Sequence, residues 1–510
     1  MKHIYTILLF SLLFSIKGFC QAEPSVIVYD FPAKFPVSER YSVTVDGLSI
    51  APLHTKRGAI LNFGMSGSVR IRVDLDTPAK EVTIRPLHTD LKAEIDDKGF
   101  YFDLPRPMNL SVEVNGDIAD PLLVFANPKL PAPPSKDDPK VKYFEAGKIH
   151  QVGEIFLKSG ETLYAETGAI VNGEIRAVGA NNVAIRGGGI INAGYRNRKI
   201  NMLVLRECQN AVIEDIILLD SLGWTVHLSG SQDINISNIR VIGWRANSDG
   251  LDIEYSRRVR ADRCFWRTND DCIAVKAIYP PGEKDIPFTE MINPETIGKR
   301  TAKPIPGDVI GDVLITNSVL WNDRNGQGFE IGFEVRVDHI RNVTFRDCDI
   351  IHVKSGGAFS IHNGERANIE GILLENIRVE NTDRLFDFHI GLSIYSEDCP
   401  EPYRRTNPKR KRPSPRNVNA HAWSQWLLPQ GEEVARYEAK RGTISNIVIR
   451  NMTVATKPSR NSILHGYSKN KGISGVTFEG LTIAGEKIHS VEQLDLYQTH
   501  VTGLHFRAKP

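Results

Sequence analysis

The chain has 510 residues, 41% hydrophobic, 24% charged and 8% aromatic, with 63 Lys and Arg against 61 Asp and Glu. That length allows two domains and a large buried core, and the composition is that of a soluble globular protein, neither disordered nor embedded in a membrane. The near-zero charge balance gives no global field to attract nucleic acid, so no nucleic-acid partner is expected.

The first element is a targeting segment. MKHIYTILLFSLLFSIKGFCQA opens with Lys2 and His3, continues as an apolar run from about Ile7 to Ile16, and ends in the small-x-small Cys20-Gln21-Ala22. It reads as a secretory signal peptide over residues 1–22, too short to span a bilayer, and no later segment is apolar enough to be transmembrane. A lipid anchor on Cys20 is the alternative, which Phe19 just before it fits poorly. The expected location is secreted or periplasmic. Without residues 1–22 the chain loses Lys2 and Lys17 but no acid, so 61 basic residues face 61 acidic ones. Cys208, Cys264, Cys272, Cys348 and Cys399 remain; an odd number without CxxC spacing reads as core filler, and neither a metal nor another cofactor is expected.

Residues 23–128 alternate apolar and polar in eight short runs separated by turn signals: SVIVYDF, YSVTVDG, GAILNFG, VRIRVDL, EVTIRPL, GFYFDLP, NLSVEVNG and LLVFANP. This predicts an antiparallel β-sandwich. The Pro-rich, polar NPKLPAPPSKDDPK then marks a linker, placed at 129–142.

From 143 onward one phrase recurs: an apolar pair, a polar residue, Asn or Asp, then apolar again, as in AVIEDIILL, INISNIRVI, VLITNSVLW, ILLENIRV and VTFEGLTI. Its anchors fall at 213, 236, 261, 315, 345, 374, 449 and 478. Repeats of about 20–50 residues without helical periodicity predict a β-helix over 143–510, and hence an all-β chain. The step from 261 to 315 is expected to hide one extra coil, the one carrying Asp270-Asp271, plus a loop; the step from 374 to 449 hides another loop. The first insertion lies near 279–307. The second, about 395–441, contains the basic RRTNPKRKRPSPR followed by Trp423 and Trp426. Long insertions in a solenoid collect on one side, where they wall a groove. The basic run reads as a solvated loop or a contact for an anionic polymer, and the two tryptophans as stacking platforms for sugar rings or as loop packing.

The segment NSDGLDIEYSRRVRADRCFWRTNDDCIAVKA, 247–277, gathers Asp249 and the adjacent pair Asp270-Asp271. With coils of 23–25 residues, positions 21 apart lie on neighbouring rungs about 4.8 Å apart. Successive strand residues point to opposite faces, so both members of the pair face a groove only if the backbone turns or bulges there. Close carboxylates raise one another's pKa, so one of them holds a proton near neutrality. Glycosidic hydrolysis needs that: a protonated carboxyl for the leaving oxygen and an ionised one to activate water, separated by about 6.5–9.5 Å in inverting enzymes. A calcium site, as in a polysaccharide lyase, or acidic residues capping turns are the competing readings.

The segment resembles glycoside hydrolase family 28, the polygalacturonase family. Asn247-Ser248-Asp249 matches its Asn-Thr/Ser-Asp motif and Asp270-Asp271-Cys272 its Asp-Asp-Cys motif, with Asp252 and GWTVHL (223–228) also in place, and the likeness runs over roughly 143–380. ETLYAETGAIVNGEI (161–175), NVAIRGGGIINA (182–193) and the preceding sandwich are similar to family 49, the dextranase and isopullulanase family of the same clan. The resemblance implies a right-handed parallel β-helix, inversion of anomeric configuration, Asp270 as general acid, and Asp249 and Asp271 as the carboxylates that activate water. The departures are specific. Gln327 stands where the family has a histidine, and Ser360-Ile361-His362 replaces its Arg-Ile-Lys motif. Gln327 hydrogen-bonds but does not titrate, and loss of the Arg and Lys removes the natural partners of a uronate. Asn247, Gln327, His362, Trp423 and Trp426 are the expected substrate-binding residues. The expectation is a secreted inverting glycoside hydrolase acting on a polysaccharide or oligosaccharide. The rivals are a β-helical lyase, disfavoured by the absence of an obvious Lys/Arg pair among the acidic motifs, and a catalytically silent glycan-binding protein.

Overall fold

The computed structural model describes residues 25–196, 200–278, 309–400, 426–427, 429 and 431–508. The expected signal segment, the whole of the 279–307 insertion, the basic run and Trp423 lie outside the described residues.

All eight runs predicted in the N-terminal part are strands, and Leu48–Ser49, Leu53–Thr55 and Glu94–Asp96 add short ones. They form a six-stranded and a five-stranded sheet around one core that includes Val43, Phe63, Ile71, Phe102 and Val112. Pairing is antiparallel except between Gly58–Met65 and Leu122–Asn127, which run parallel. Those two strands are buried on both faces, which is why GAILNFG and LLVFANP read as nearly continuous apolar runs. Ala59, Leu61 and Phe63 point into the sandwich, while Ile60, Leu123 and Phe125 face Ile170, Ile217, Phe265, Trp321 and Ile351 of the second unit. The sandwich therefore lies along the flank of the solenoid and is not confined to its start. Polar ties reinforce the seam: Arg240 donates to Asn127 at 2.6 Å, His352 meets Glu113 at 2.7 Å, and Arg57 pairs with Asp323 at 3.0 Å.

The second unit is a right-handed parallel β-helix. Its coils contribute three strand series. One forms a twelve-stranded parallel sheet from Val141–Phe144 to Val501–Arg507; the other two merge into a twenty-stranded sheet because long strands such as Asp349–Asn363 cross the corner. The sequence anchors are one ladder: Ile213, Ile236, Ala261, Ile315, Phe345, Leu374, Ile449 and Phe478 stack in register, each buried. Two residues after each anchor the chain turns with positive φ, at Asp215, Asn238, Arg263, Asn317, Asp347, Asn376, Asn451 and Gly480. The left-handed region explains the preference for Asn, Asp and Gly there. Side chains also link neighbouring turns, as in Asn238 to Asp215 at 2.7 Å and Asn376 to Asp347 at 2.9 Å.

The register corrects one expectation. Ala261 pairs directly with Ile315, so the step of 54 hides no extra coil. Asp270-Asp271 belong to the coil that starts at anchor 261, and a long insertion leaves that same coil before it closes. Among the described residues no helix is long and apolar enough to cross a membrane.

Candidate active site

Strand register builds the site. Leu251 pairs with Ile273 and Ile273 with Phe329, so Asp249, Asp271 and Gln327, each two residues earlier, stack on successive coils. Between the strands Phe265–Thr268 and Ile273–Ala277 the backbone bends instead of continuing extended, which lets Asp270 and Asp271 line the same cavity as Asp249. Asn322 holds this bend by donating from Nδ2 to the Asp270 carbonyl at 2.6 Å, and Thr268 Oγ1 donates to the same oxygen at 2.6 Å. One carboxylate oxygen from each of Asp249, Asp270 and Asp271 lies within 4.8 Å of the others.

Electrostatics follow from this crowding. Burial, and next the charge of Asp249, push Asp270 up to about 7. Burial and the charges of Asp270, Asp249 and Glu330 push Asp271 well above the carboxylate range, and burial raises Asp249 despite Lys276. The three groups titrate as one cluster and carry fewer than three negative charges near neutrality. Two members have local support for their ionised forms. Gln327 N–H donates to Asp271 Oδ1 at 2.8 Å, and Lys276 Nζ lies 3.4 Å from Asp249 Oδ2.

The cavity, about 480 Å³, is also lined by Asn247, Gln327 and His362, three of the residues singled out in the sequence. Gln327 Oε1 accepts from the Gly357 N–H and from Ser360 Oγ, the latter at 2.9 Å, so it pins the adjacent strand instead of titrating. His362 sits between Glu330 (2.9 Å) and Asp387 (3.7 Å). Burial alone would deprotonate it, but those two carboxylates outweigh that and raise it to about 10. Trp426 is a correction. It is 1% exposed, stacks on His389 at 3.9 Å and lies behind His362 and Phe333, so it braces the wall as core packing and offers no face to a sugar. Trp423 lies outside the described residues.

Sequence reasoning missed Lys276, Trp224, Glu330, Arg384 and Asp387, all on the cavity wall. Lys276 had a signal: a lone cation in the apolar IAVKA strand, one coil above Glu254. It is buried, 2.9 Å from Asp252 and 4.5 Å from the centre of the Trp224 ring. Burial lowers its pKa, yet Asp252 and Asp249 more than offset this and hold it well above the ordinary lysine value. Its ammonium places positive charge beside Asp249 and Asp252. Lys276→Met leaves two buried carboxylates without their cation, and the urea midpoint is expected to fall by an amount equivalent to about 3–5 kcal/mol.

Residues 165–298, which hold all three aspartates, match the model of glycosyl hydrolases family 28. Among curated proteins, a polygalacturonase of Persea americana is 26% identical over 158 residues, 28% of this chain and 33% of that protein. A probable polygalacturonase of Arabidopsis thaliana is 29% identical over 85 residues, 16% of this chain and 19% of that protein. The chain thus spans about a fifth to a third of these relatives' length. Among solved structures, Dex49A from Penicillium minioluteum superposes with a TM-score of 0.57 at 13% identity, covering 93% of this chain and 96% of that one. The fold is that of the right-handed β-helical glycosidases. Within that fold, the aspartate-bearing segment is the part that matches the family 28 model.

Proposed function

We propose that the protein is a secreted glycoside hydrolase that cleaves a polysaccharide or oligosaccharide with inversion. The observation that carries this reading is the packing of Asp249, Asp270 and Asp271 within 4.8 Å in a cavity, beside a family 28 match over the same residues. Asp270, titrating near 7, gives its proton to the glycosidic oxygen as the bond to the anomeric carbon breaks. A water held between Asp249 and Asp271 attacks that carbon and leaves its proton on Asp249, the member of the pair whose charge Lys276 supports at 3.4 Å. Neither step calls for a cofactor.

A retaining enzyme, in which Asp249 or Asp271 attacks the anomeric carbon directly, is the second reading, because oxygen contacts within 4.8 Å fit carboxyl groups separated either by the ~6.5–9.5 Å of an inverting pair or by the ~5–5.5 Å of a retaining one. Proton NMR of the first product from a panel of neutral, uronic and sulfated glycans decides this. An anomer of configuration opposite to the substrate's supports inversion, a retained anomer shows a covalent intermediate, and no new anomeric signal from any member removes the hydrolase reading.

A further inference from the structure

The cavity has a second cluster beside the three aspartates, and the hydrolytic mechanism does not use it. Glu330 is 1% exposed and His362 and Asp387 are 4% and 5% exposed. Register places Glu330, Ser360 and Asp387 one above another on three successive coils, with His362 two residues along from Ser360. The result is a His362 imidazolium clamped between two carboxylates at one end of the cavity, stacked on Phe333 at 4.4 Å.

The charge count of the cavity is one-sided. Six carboxylates line it, Asp249, Asp270, Asp271, Glu330, Glu334 and Asp387, against the three cations Lys276, His362 and Arg384. Each cation already has a carboxylate partner: Lys276 has Asp249 and Asp252, His362 has Glu330, and Arg384 has Asp387 at 3.6 Å. Among the described residues each lining cation thus has a carboxylate within 4 Å that offsets its charge, and the remaining acids repel an anionic substituent. Even with one proton held by the catalytic cluster the balance stays negative.

The buried polar atoms of the cavity wall that lack a hydrogen-bond partner are a mixed set: Asp249 Oδ1 and both Glu330 oxygens are acceptors, while both ring nitrogens of the charged His362 and Arg384 Nη2 are donors. Buried polar groups of this sort are costly unless a ligand pairs them. A ring carrying several hydroxyls, each both donor and acceptor, pairs such a mixed set. A carboxylate or sulfate, an acceptor with a full charge, takes only the Arg384 and His362 donors, leaves Glu330 and Asp249 unpaired, and meets the net negative charge of the cavity.

From this geometry, and resting on the glycosidase reading above, we infer that Glu330, held by His362, is a specificity-determining residue that takes a hydroxyl of an uncharged sugar and turns away uronic and sulfated ones. An Arg-Ile-Lys to Ser360-Ile361-His362 replacement is what a site with this preference needs, since the positive charges that would hold a uronate are absent and the histidine that remains is spent on Glu330.

The test is calorimetric titration of Asp270→Asn, which binds without turnover, with uncharged α- and β-linked trisaccharides, trigalacturonate and a sulfated carrageenan oligosaccharide, alongside product release by the wild type. At least one uncharged trisaccharide is expected to bind about tenfold or more tightly than either charged probe. Adding Glu330→Gln, checked for native circular dichroism, is expected to weaken that binding about tenfold and to narrow the gap, because a hydrogen bond to a charged acceptor is lost and the cavity becomes less negative. A charged probe bound as tightly as the best uncharged one overturns the inference while its hydrolysis leaves the glycosidase reading intact. An unchanged preference in a folded Glu330→Gln variant overturns the role of Glu330. Should that variant not fold, the comparison of charged with uncharged probes still decides the preference. Silence of every probe in both binding and release overturns the glycosidase reading and the inference with it.

Discussion

Asp270→Asn is expected to lower turnover by about 10²- to 10⁴-fold, the range contributed by a positioned proton donor. Asn fills the same space but has no proton to give to the leaving oxygen, so binding of substrate is expected to survive. The pH dependence has a definite sign. Asp270 must be protonated to act and titrates at about 7, so wild-type activity falls as pH rises through that value. Stability moves the same way. A carboxyl whose folded pKa is raised keeps its proton in the native chain where the unfolded chain has lost it, so the wild type loses stability as pH rises from 3.8 through about 7. Asp270→Asn carries no such penalty, and above neutrality it is expected to unfold at a higher temperature than the wild type, read by calorimetry across pH.

Gly326→Ala is expected to be nearly as damaging to activity from outside the catalytic trio. Gly326 has φ +68°, a region that alanine adopts only at a cost of about 1 kcal/mol. The larger effect is steric. A Cβ there meets the Asp271 nitrogen at 2.4 Å and Oδ1 of both Asp270 and Asp271 at 2.5 Å. Neither carboxylate can yield freely, because Gln327 N–H fixes Asp271 and Asn322 fixes the bend under Asp270. Displacement of both by about 1 Å is expected to cost on the order of 100-fold in turnover, since catalysis is that sensitive to placement. The melting temperature should fall by only a few degrees, and that contrast between kinetics and calorimetry is the check. A fall in melting temperature as severe as that of Lys276→Met, with turnover in the surviving folded fraction unchanged, would contradict it.

Much of this architecture is legible in the sequence because the physics is periodic. A parallel β-helix repeats one inward-pointing position per coil, so Ile213, Ile236, Ala261 and their successors announce themselves as a ladder, and the turn that follows each needs positive φ and so selects Asn, Asp or Gly. The sandwich is readable for the same reason, through alternation. What periodicity does not carry is the length of an insertion relative to a coil. The 54-residue step looks like more than one turn of the solenoid, and only the pairing of Ala261 with Ile315 shows it to be one turn with an excursion.

The site divides along the same line. Asp249 and Asp270-Asp271 stand out because three acids within one short segment are costly unless used. Lys276 and Glu330 do not, because each lies inside an apolar strand, in IAVKA and FEIGF, where a charge reads as an isolated irregularity. The partner of each is one coil away in space and 24 to 32 residues away in sequence, Asp252 and Asp249 for Lys276 and His362 for Glu330. Trp426 fails for the reverse reason. It sits in a segment that reads as a surface loop, yet the space beside His389 buries it.

The central claim is that the three aspartates hydrolyse a glycosidic bond. The most direct measurement follows reducing ends and ultraviolet absorbance together, for wild type beside Asp270→Asn, on neutral, uronic and sulfated glycans. New reducing ends without a rise in absorbance, present in the wild type and lost in the variant, are the predicted result. Reducing ends accompanied by unsaturated, absorbing products would contradict hydrolysis and establish a lyase, and equal release by the two proteins would contradict the role of Asp270.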